Sequence, residues 1–238
     1  MDQPGDPRPL SWLGRLAGQA APLLALAICA GGLLGFLELM EVLEGEGRSY
    51  DEAVLRALRR PDDLADPIGP PWLELTMRDI TALGGIPVLG LLSVLALGWL
   101  VLRRRWQSVV LLLISLPGGM LLNAMLKQGF DRPRPSLVAH LVEVETSSFP
   151  SGHAMLSAVG FLTLGALLAG AAKRRRERGY VLAVAVLLTL LIGGSRVYLG
   201  VHWPSDVLAG WCLGAAWAMG CWLLLRFGRR FMPLGRRG

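Results

Sequence analysis

The chain has 238 residues, of which 53% are hydrophobic and only 18% charged, with a mean hydropathy of +0.49. Those figures exclude a disordered chain, which is poor in apolar residues, and three Cys are too few for a disulfide scaffold. A net charge of +6 and a pI near 9.9 would suit a nucleic-acid binder only if the basic residues formed one surface, and their placement argues against that.

Six segments read as membrane helices: residues 16–37, 80–102, 106–126, 154–172, 179–195 and 207–225. A crossing takes about 20 apolar residues at about 1.5 Å each, and continuous apolar runs of this length exceed any strand. The fifth is the shortest and needs flanking residues to complete its crossing. The first is too long for the apolar core of a signal peptide and reads as a retained anchor. Residues 1–9, rich in Pro and Gly, read as disordered. The expected organisation is a tail over 1–15 and one six-helix membrane domain over 16–238, all-α and polytopic.

Six crossings put both termini on one side. Arg8 and Arg15, Arg103 to Arg105, Lys173 to Arg176 with Arg178, and Arg226, Arg229, Arg230, Arg236 and Arg237 all fall on that side. The excess of Lys and Arg marks it as cytoplasmic. The expected location is a bacterial inner membrane, with the remaining loops facing the periplasm or exterior. The outer face is acidic overall, so nothing calls for nucleic acid; membrane lipids are the expected surroundings.

The first outer connection, residues 38–79, contains Ser49 and Glu52 at capping-box spacing. Asp51 and Glu52 near its start and Arg56, Arg59 and Arg60 near its end match a helix dipole. Val54, Leu55 and Leu58 share one face, and Pro61 is a stop. This reads as a short interfacial helix lying on the outer membrane surface. Trp12, Trp72, Trp99, Trp106 and Trp203 near helix ends read as an interfacial belt. Gly31-x-x-x-Gly35 and Gly210-x-x-x-Gly214 read as close helix packing within the chain; monomer and homodimer both stay open. Cys29, Cys212 and Cys221 read as small apolar fillers.

The second outer loop opens Lys127-Gln128-Gly129-Phe130-Asp131-Arg132-Pro133-Arg134-Pro135. A cationic patch on the face that disfavours positive charge suits an anionic ligand. The loop ends Phe149-Pro150-Ser151-Gly152-His153 and enters the fourth span. Ser151 and Gly152 there offer a hydroxyl and free amides at a helix N-terminus, a ready anion site, with His153 in the first turn. The third outer loop carries Arg196, His202 and Asp206, with Pro204 suited to a first helical turn. If that turn is helical, His202 and Asp206 share a face, and the carboxylate can fix one ring nitrogen while the other attacks. His140 stands alone and reads as incidental. No His, Cys or Asp set has a convincing metal-ligand spacing, and no nucleotide loop is present. Fixed cations, amides and two imidazoles suit phosphoryl transfer without metal or other cofactor.

These residues resemble the type 2 phosphatidic acid phosphatase superfamily, the integral-membrane lipid phosphate phosphatases. Its three signatures, Lys-x6-Arg-Pro, Pro-Ser-Gly-His and Ser-Arg-x5-His-x3-Asp, stand complete at Lys127 to Pro135, Pro150 to His153 and Ser195 to Asp206. The resemblance implies a nucleophilic His202 that forms a phosphohistidine, oriented by Asp206, with His153 as general acid. It implies that Lys127, Arg134, Ser151, Gly152 and Arg196 hold the phosphate. Arg132 has no signature role and reads as supporting charge. The implied reaction is metal-independent hydrolysis of a lipid phosphate or diphosphate, such as undecaprenyl pyrophosphate, phosphatidylglycerophosphate, phosphatidate or lipid A. A site at the membrane edge implies sideways entry from the outer leaflet. A phosphotransferase using the same histidine is the alternative; a transporter fits poorly, because the spans carry no charge near their middle.

Overall fold

The computed structural model describes residues 11–43, 47–144 and 146–228. In chain order the elements are α1 (Ser11–Leu43), α2 (Gly47–Ala57), β1 (Arg59–Arg60), β2 (Asp63–Pro67), α3 (Pro71–Ala82), α4 (Ile86–Leu102), α5 (Trp106–Gly129), α6 (Gly152–Ala171), α7 (Arg175–Tyr198) and α8 (Pro204–Gly228). Five are long and apolar enough to cross a membrane: Ala20–Glu41 within α1, then α5, α6, α7 and α8. The pair α3 and α4, bent by 48°, supplies a sixth crossing when taken as one span. Helices dominate because a chain in hydrocarbon must satisfy its backbone groups within each segment.

The bundle is built around α6, which packs against α5, α7 and α8. Glycine sets the closest approach. A Cβ on Gly210 would lie 2.8 Å from the Ser151 carbonyl oxygen, and one on Gly214 would lie 2.5 Å from that of Met155. The Gly210/Gly214 pair therefore lets α8 lie directly on the first turns of α6, as expected. On α1 the expectation shifts by one residue: a Cβ on Gly32 would meet the Cys212 carbonyl oxygen at 2.4 Å, whereas Gly31 faces open space. The three Cys are free, as fillers would be.

The second span and the outer helix need correction. The second span is not one helix over 80–102. It breaks at 83–85, where Gly84 packs so closely that a Cβ would lie 2.4 Å from Ile192 Cγ2, and Pro87 starts α4 afresh. At 17 residues, α4 alone is about 26 Å long, a little short of the hydrocarbon core. The outer helix also differs. It begins at Gly47, so Ser49 lies inside the first turn and is not a cap. Its apolar stripe is spent on protein: Leu55 is fully buried against Val138, Ala154, Val197, Trp203 and Val207. The helix ends at Ala57, ahead of Pro61, and β1 and β2 then form a small antiparallel pair. Arg59 leaves α2's dipole altogether. Its buried guanidinium donates to the Tyr198 carbonyl oxygen at 3.0 Å, where a cation suits the end of α7.

Smaller differences lie at the helix ends. The helix over the first span starts at Ser11, ahead of the expected 16. The fifth span lengthens to the whole of α7, taking Arg175, Arg176 and Arg178 into its first turn, and the Glu177 carboxylate accepts the Arg174 backbone N–H at 3.1 Å. Residues 1–9, with Arg8, Arg229, Arg230, Arg236 and Arg237, lie outside the described residues. Trp72, Trp99 and Trp106 are exposed, as a belt requires. Trp203 is not part of it. It is 5% exposed, its Nε1 donates to the Pro133 carbonyl oxygen at 2.9 Å, and its ring lies under the Arg132 guanidinium.

Candidate active site

Four chain segments meet at one end of the bundle. The C-terminus of α5 brings Lys127, and the loop after it brings Arg134. The N-terminus of α6 brings Gly152 and His153, the last turn of α7 brings Arg196, and the loop into α8 brings His202. All six line one cavity of about 300 Å³, together with Thr81, Glu143 and Thr146. Ser151 and Asp206 stand behind its wall, both buried.

Ser151 caps α6, its hydroxyl accepting from the Ala154 N–H at 3.5 Å. Its own N–H donates to the Asp206 carbonyl oxygen at 3.0 Å, which ties the start of α6 to α8. Orphan amides and the positive end of α6 therefore face the cavity. Gly152 keeps that face open: a Cβ there would lie 3.1 Å from Asn123 Oδ1 and 3.9 Å from Lys127 Cε.

The cations are satisfied by a stand-in. Lys127 Nζ donates to Thr146 Oγ1 and to the Ser147 carbonyl oxygen, both at 2.9 Å. Arg134 Nε donates to the Thr146 carbonyl oxygen at 2.8 Å, and its Nη2 to Thr146 Oγ1 at 3.4 Å. Thr146 thus offers two oxygens where phosphate oxygens would fit. Arg196 Nη1 donates to Thr81 Oγ1 at 3.1 Å, while its buried Nε has no partner among the described residues. Buried donors of this kind call for an acceptor.

The two histidines differ in setting. His202 is 2% exposed. Its Nε2 lies 3.2 Å from Arg134 Nη1, and its Nδ1 lies 3.5 Å from Asp206 Oδ2. A guanidinium can only donate, so Arg134, which also donates to the Val201 carbonyl oxygen at 2.6 Å, favours the lone pair on Nε2 and the proton on Nδ1, which faces the carboxylate without a hydrogen bond among the described residues. Burial pushes the His202 imidazole down to about 4, with Asp206 opposing the shift and Arg134 adding to it. Burial also lowers Arg134, although a guanidinium stays cationic near neutrality. His202 precedes α8, which starts at Pro204, so the pair does not share a helical face as expected. Asp206 reaches back instead, its Oδ2 accepting the Trp203 N–H at 2.9 Å and the Ser148 hydroxyl. Its Oδ1 accepts from Arg132. His153 lies against the break between α3 and α4, where a Cβ on Gly85 would come 3.9 Å from His153 Nε2. From His153 a second cavity of about 670 Å³ extends, with Gly84, Ile86, Met120 and Leu156 among its apolar lining and Asn123, Gln128 and Asp131 among its polar lining.

Sequence reasoning missed Thr81, Ser148 and Asp51, and gave Arg132 too small a part. Ser148 stood in plain sight in the run before Pro150. Thr81 reads as one more residue of an apolar span, and Asp51 as a helix-dipole charge. His140, read as incidental, stays out of this cavity and pairs with the Pro135 carbonyl oxygen at 2.7 Å. No group of three His, Cys, Asp or Glu among the described residues is placed to hold a metal.

The PAP2 superfamily profile matches residues 106–230. Phosphatidylglycerophosphatase B of Bacillus subtilis is 36% identical over 169 residues, 70% of this chain and 79% of the relative. Undecaprenyl-diphosphatase of Sulfolobus acidocaldarius is 33% identical over 55% of this chain and 58% of the relative. The crystal structure of a transmembrane PAP2-type phosphatidylglycerolphosphate phosphatase from Bacillus subtilis superimposes with a TM-score of 0.75. It has 31% identity, with 88% of this chain and all of that one covered. With the profile, the fold and the signature residues all in agreement, the chain belongs to the PAP2 superfamily of membrane lipid phosphate phosphatases.

Proposed function

We propose that this membrane lipid phosphatase works through a phosphohistidine on His202, at the extracytoplasmic face, on a lipid phosphate or diphosphate. The observation that carries the reading is the setting of His202: Nε2 at the cationic cavity beside Arg134, Nδ1 toward a buried carboxylate. The substrate phosphate displaces Thr146 and takes the donors of Lys127, Arg134 and Arg196 with the α6 amides, Ser151 holding the turn that presents them. Guanidinium pairs bind phosphate oxygens well and steady the equatorial charge of the transition state.

His202 Nε2 attacks phosphorus in line, forming a P–N bond as the P–O bond to the lipid breaks. His153 hands its proton to the departing oxygen. Asp206 stabilises the ring as positive charge develops on it. Water, deprotonated by His153, then attacks phosphorus, breaks the P–N bond and frees phosphate. No step assigned to these side chains requires a metal. The freed lipid lies toward the larger cavity, whose Ile86, Met120 and Leu156 suit an alkyl or isoprenoid chain. Phosphatidylglycerophosphate and undecaprenyl diphosphate head the candidate substrates, since relatives bear those names. The outward placement of the site is supported by the Lys and Arg excess of the opposite loops.

Phosphate release from these two lipids, phosphatidate and lipid A, by purified protein in detergent with no acceptor lipid, tests the reading. Hydrolysis is expected to survive a chelator and to fall by about a thousandfold or more in a folded His202→Ala variant. Retained hydrolysis in that variant would sink the assignment. Transfer that needs an added acceptor would favour the phosphotransferase.

A further inference from the structure

The outer helix α2 reaches the reaction centre through one buried chain of charge. Asp51 and Asp206 are both 0% exposed, and Arg132 lies between them. Arg132 Nη2 donates to Asp51 Oδ2 at 2.8 Å, and Nη1 donates to Asp206 Oδ1. Ser205 joins the same cluster. Its backbone N–H donates to Asp51 Oδ1 at 2.9 Å, its hydroxyl donates to Asp51 Oδ2, and that hydroxyl accepts from Arg132 Nη1 at 2.9 Å. Trp203 under the guanidinium fixes its plane.

Nothing in helix formation requires a carboxylate at Asp51, and burying one is costly unless it is paired and fully hydrogen-bonded. Pairing here is shared. One guanidinium between two carboxylates leaves the cluster with a net negative charge, and Asp206 presents its Oδ2 side to His202. If Arg132 belonged to Asp206 alone, that pair would be neutral, with less field at the imidazole when positive charge develops there.

We infer that Asp51 is a positioning residue for the reaction: from α2, by holding Arg132 and Ser205, it keeps Asp206 oriented and negative toward His202. The inference rests on the proposed roles of His202 and Asp206. Asp51 touches no substrate, so its effect falls on kcat and not on KM.

The test is a double-mutant cycle on the full chain in detergent, with dioctanoyl phosphatidate as substrate. Asp51→Asn is expected to lower kcat about tenfold, the size of coupling between contacting residues, with KM within about twofold of wild type. Asp51→Glu, which keeps the charge, recovers part of that loss. In an Asp206→Asn background the same Asp51→Asn change alters kcat by less than about twofold, because the group it acts through is gone. Wild-type kcat in Asp51→Asn overturns the inference, and so does an equal tenfold loss in both backgrounds, the mark of a merely structural role. An inert Asp206→Asn change instead removes the reading on which the inference rests. Should Asp51→Asn not yield a monodisperse protein, Ser205→Ala enters the same cycle. It removes one donor to Asp51 and leaves the charges, with a loss of about threefold expected in the Asp206 background alone and its absence overturning the inference.

Discussion

The two histidines face each other across one cavity, yet their surroundings are built on opposite principles. His202 is sealed in, with Asp206, Ser148, Arg132 and Asp51 behind it in a continuous polar network. His153 is half-buried, its ring makes no hydrogen bond among the described residues, and it opens onto a larger cavity of mixed polar and apolar lining at a helix break. A nucleophile needs one tautomer and one direction of attack, which a wired carboxylate supplies. A general acid must meet a leaving oxygen whose lipid chain varies and departs, so it gains from an open setting. The contrast separates the role of precision from the role of access.

The largest expected effect that could break this contrast comes at His153. His153→Ala is predicted to slow hydrolysis of an alkyl lipid phosphate by about 10^2- to 10^4-fold, the usual worth of a general acid. With p-nitrophenyl phosphate, whose leaving group needs no proton, the loss in the rate of the p-nitrophenol burst, which reads the first step alone, shrinks to less than about tenfold. Comparing the two substrates in the same variant checks this. Equal losses in that first step on both substrates would place His153 in the binding of phosphate instead of in proton transfer.

Gly84 offers the next test. A Cβ there meets Ile192 Cγ2 at 2.4 Å, so Gly84→Ala is predicted to cost about 1–3 kcal/mol of stability through overpacking. It also displaces the wall beside His153. Thermal unfolding in detergent reads the first effect, and the alkyl-to-aryl rate ratio reads the second. A shift in that ratio with unchanged aryl activity sharpens the division between the two halves; a variant as stable and active as wild type would contradict the tight contact.

The smallest effect is a matter of pH. Burial holds His202 near 4, so this ring, the proposed nucleophile, stays neutral in the free enzyme well below the usual histidine value of about 6.5. The acid limb of kcat/KM assigned to His202 is therefore predicted to fall below pH 6.5, toward 4. The stability sign agrees. The unfolded chain binds a proton at this residue below about 6.5 and the folded chain does not, so stability declines as pH falls between those values. A His202-dependent limb at or above 6.5 would show a solvated ring.

How much of this was visible in the chain alone follows the same division. Lys127, Arg134, Gly152, His153, Arg196 and His202 were legible, because short signatures fix their spacing within single loops and helix ends. Their convergence needed only an even number of crossings. The break at 83–85 was not read, although Gly84-Gly85-Ile86-Pro87 carries helix-breaking residues, because the hydropathy of 80–102 stays high through it. The helical pattern of α2 was legible, but its partner was not: an amphipathic stripe fits a lipid surface or a protein surface equally well. Asp51 shows why, since its contact with Ser205 spans 154 residues and no local rule links them. The paired strands over 59–67 likewise depend on Arg59 being drawn to the end of α7, a tertiary contact.

The central claim is that phosphorus bonds to His202 and not to His153. Full-length protein mixed for milliseconds with 32P-labelled phosphatidate, quenched in base to preserve phosphohistidine and digested, measures it directly. The account predicts label on the peptide containing His202, lost in His202→Ala and, in His153→Ala, accumulating more slowly but on that same peptide; label on the His153 peptide, or turnover with no labelled histidine, would contradict it.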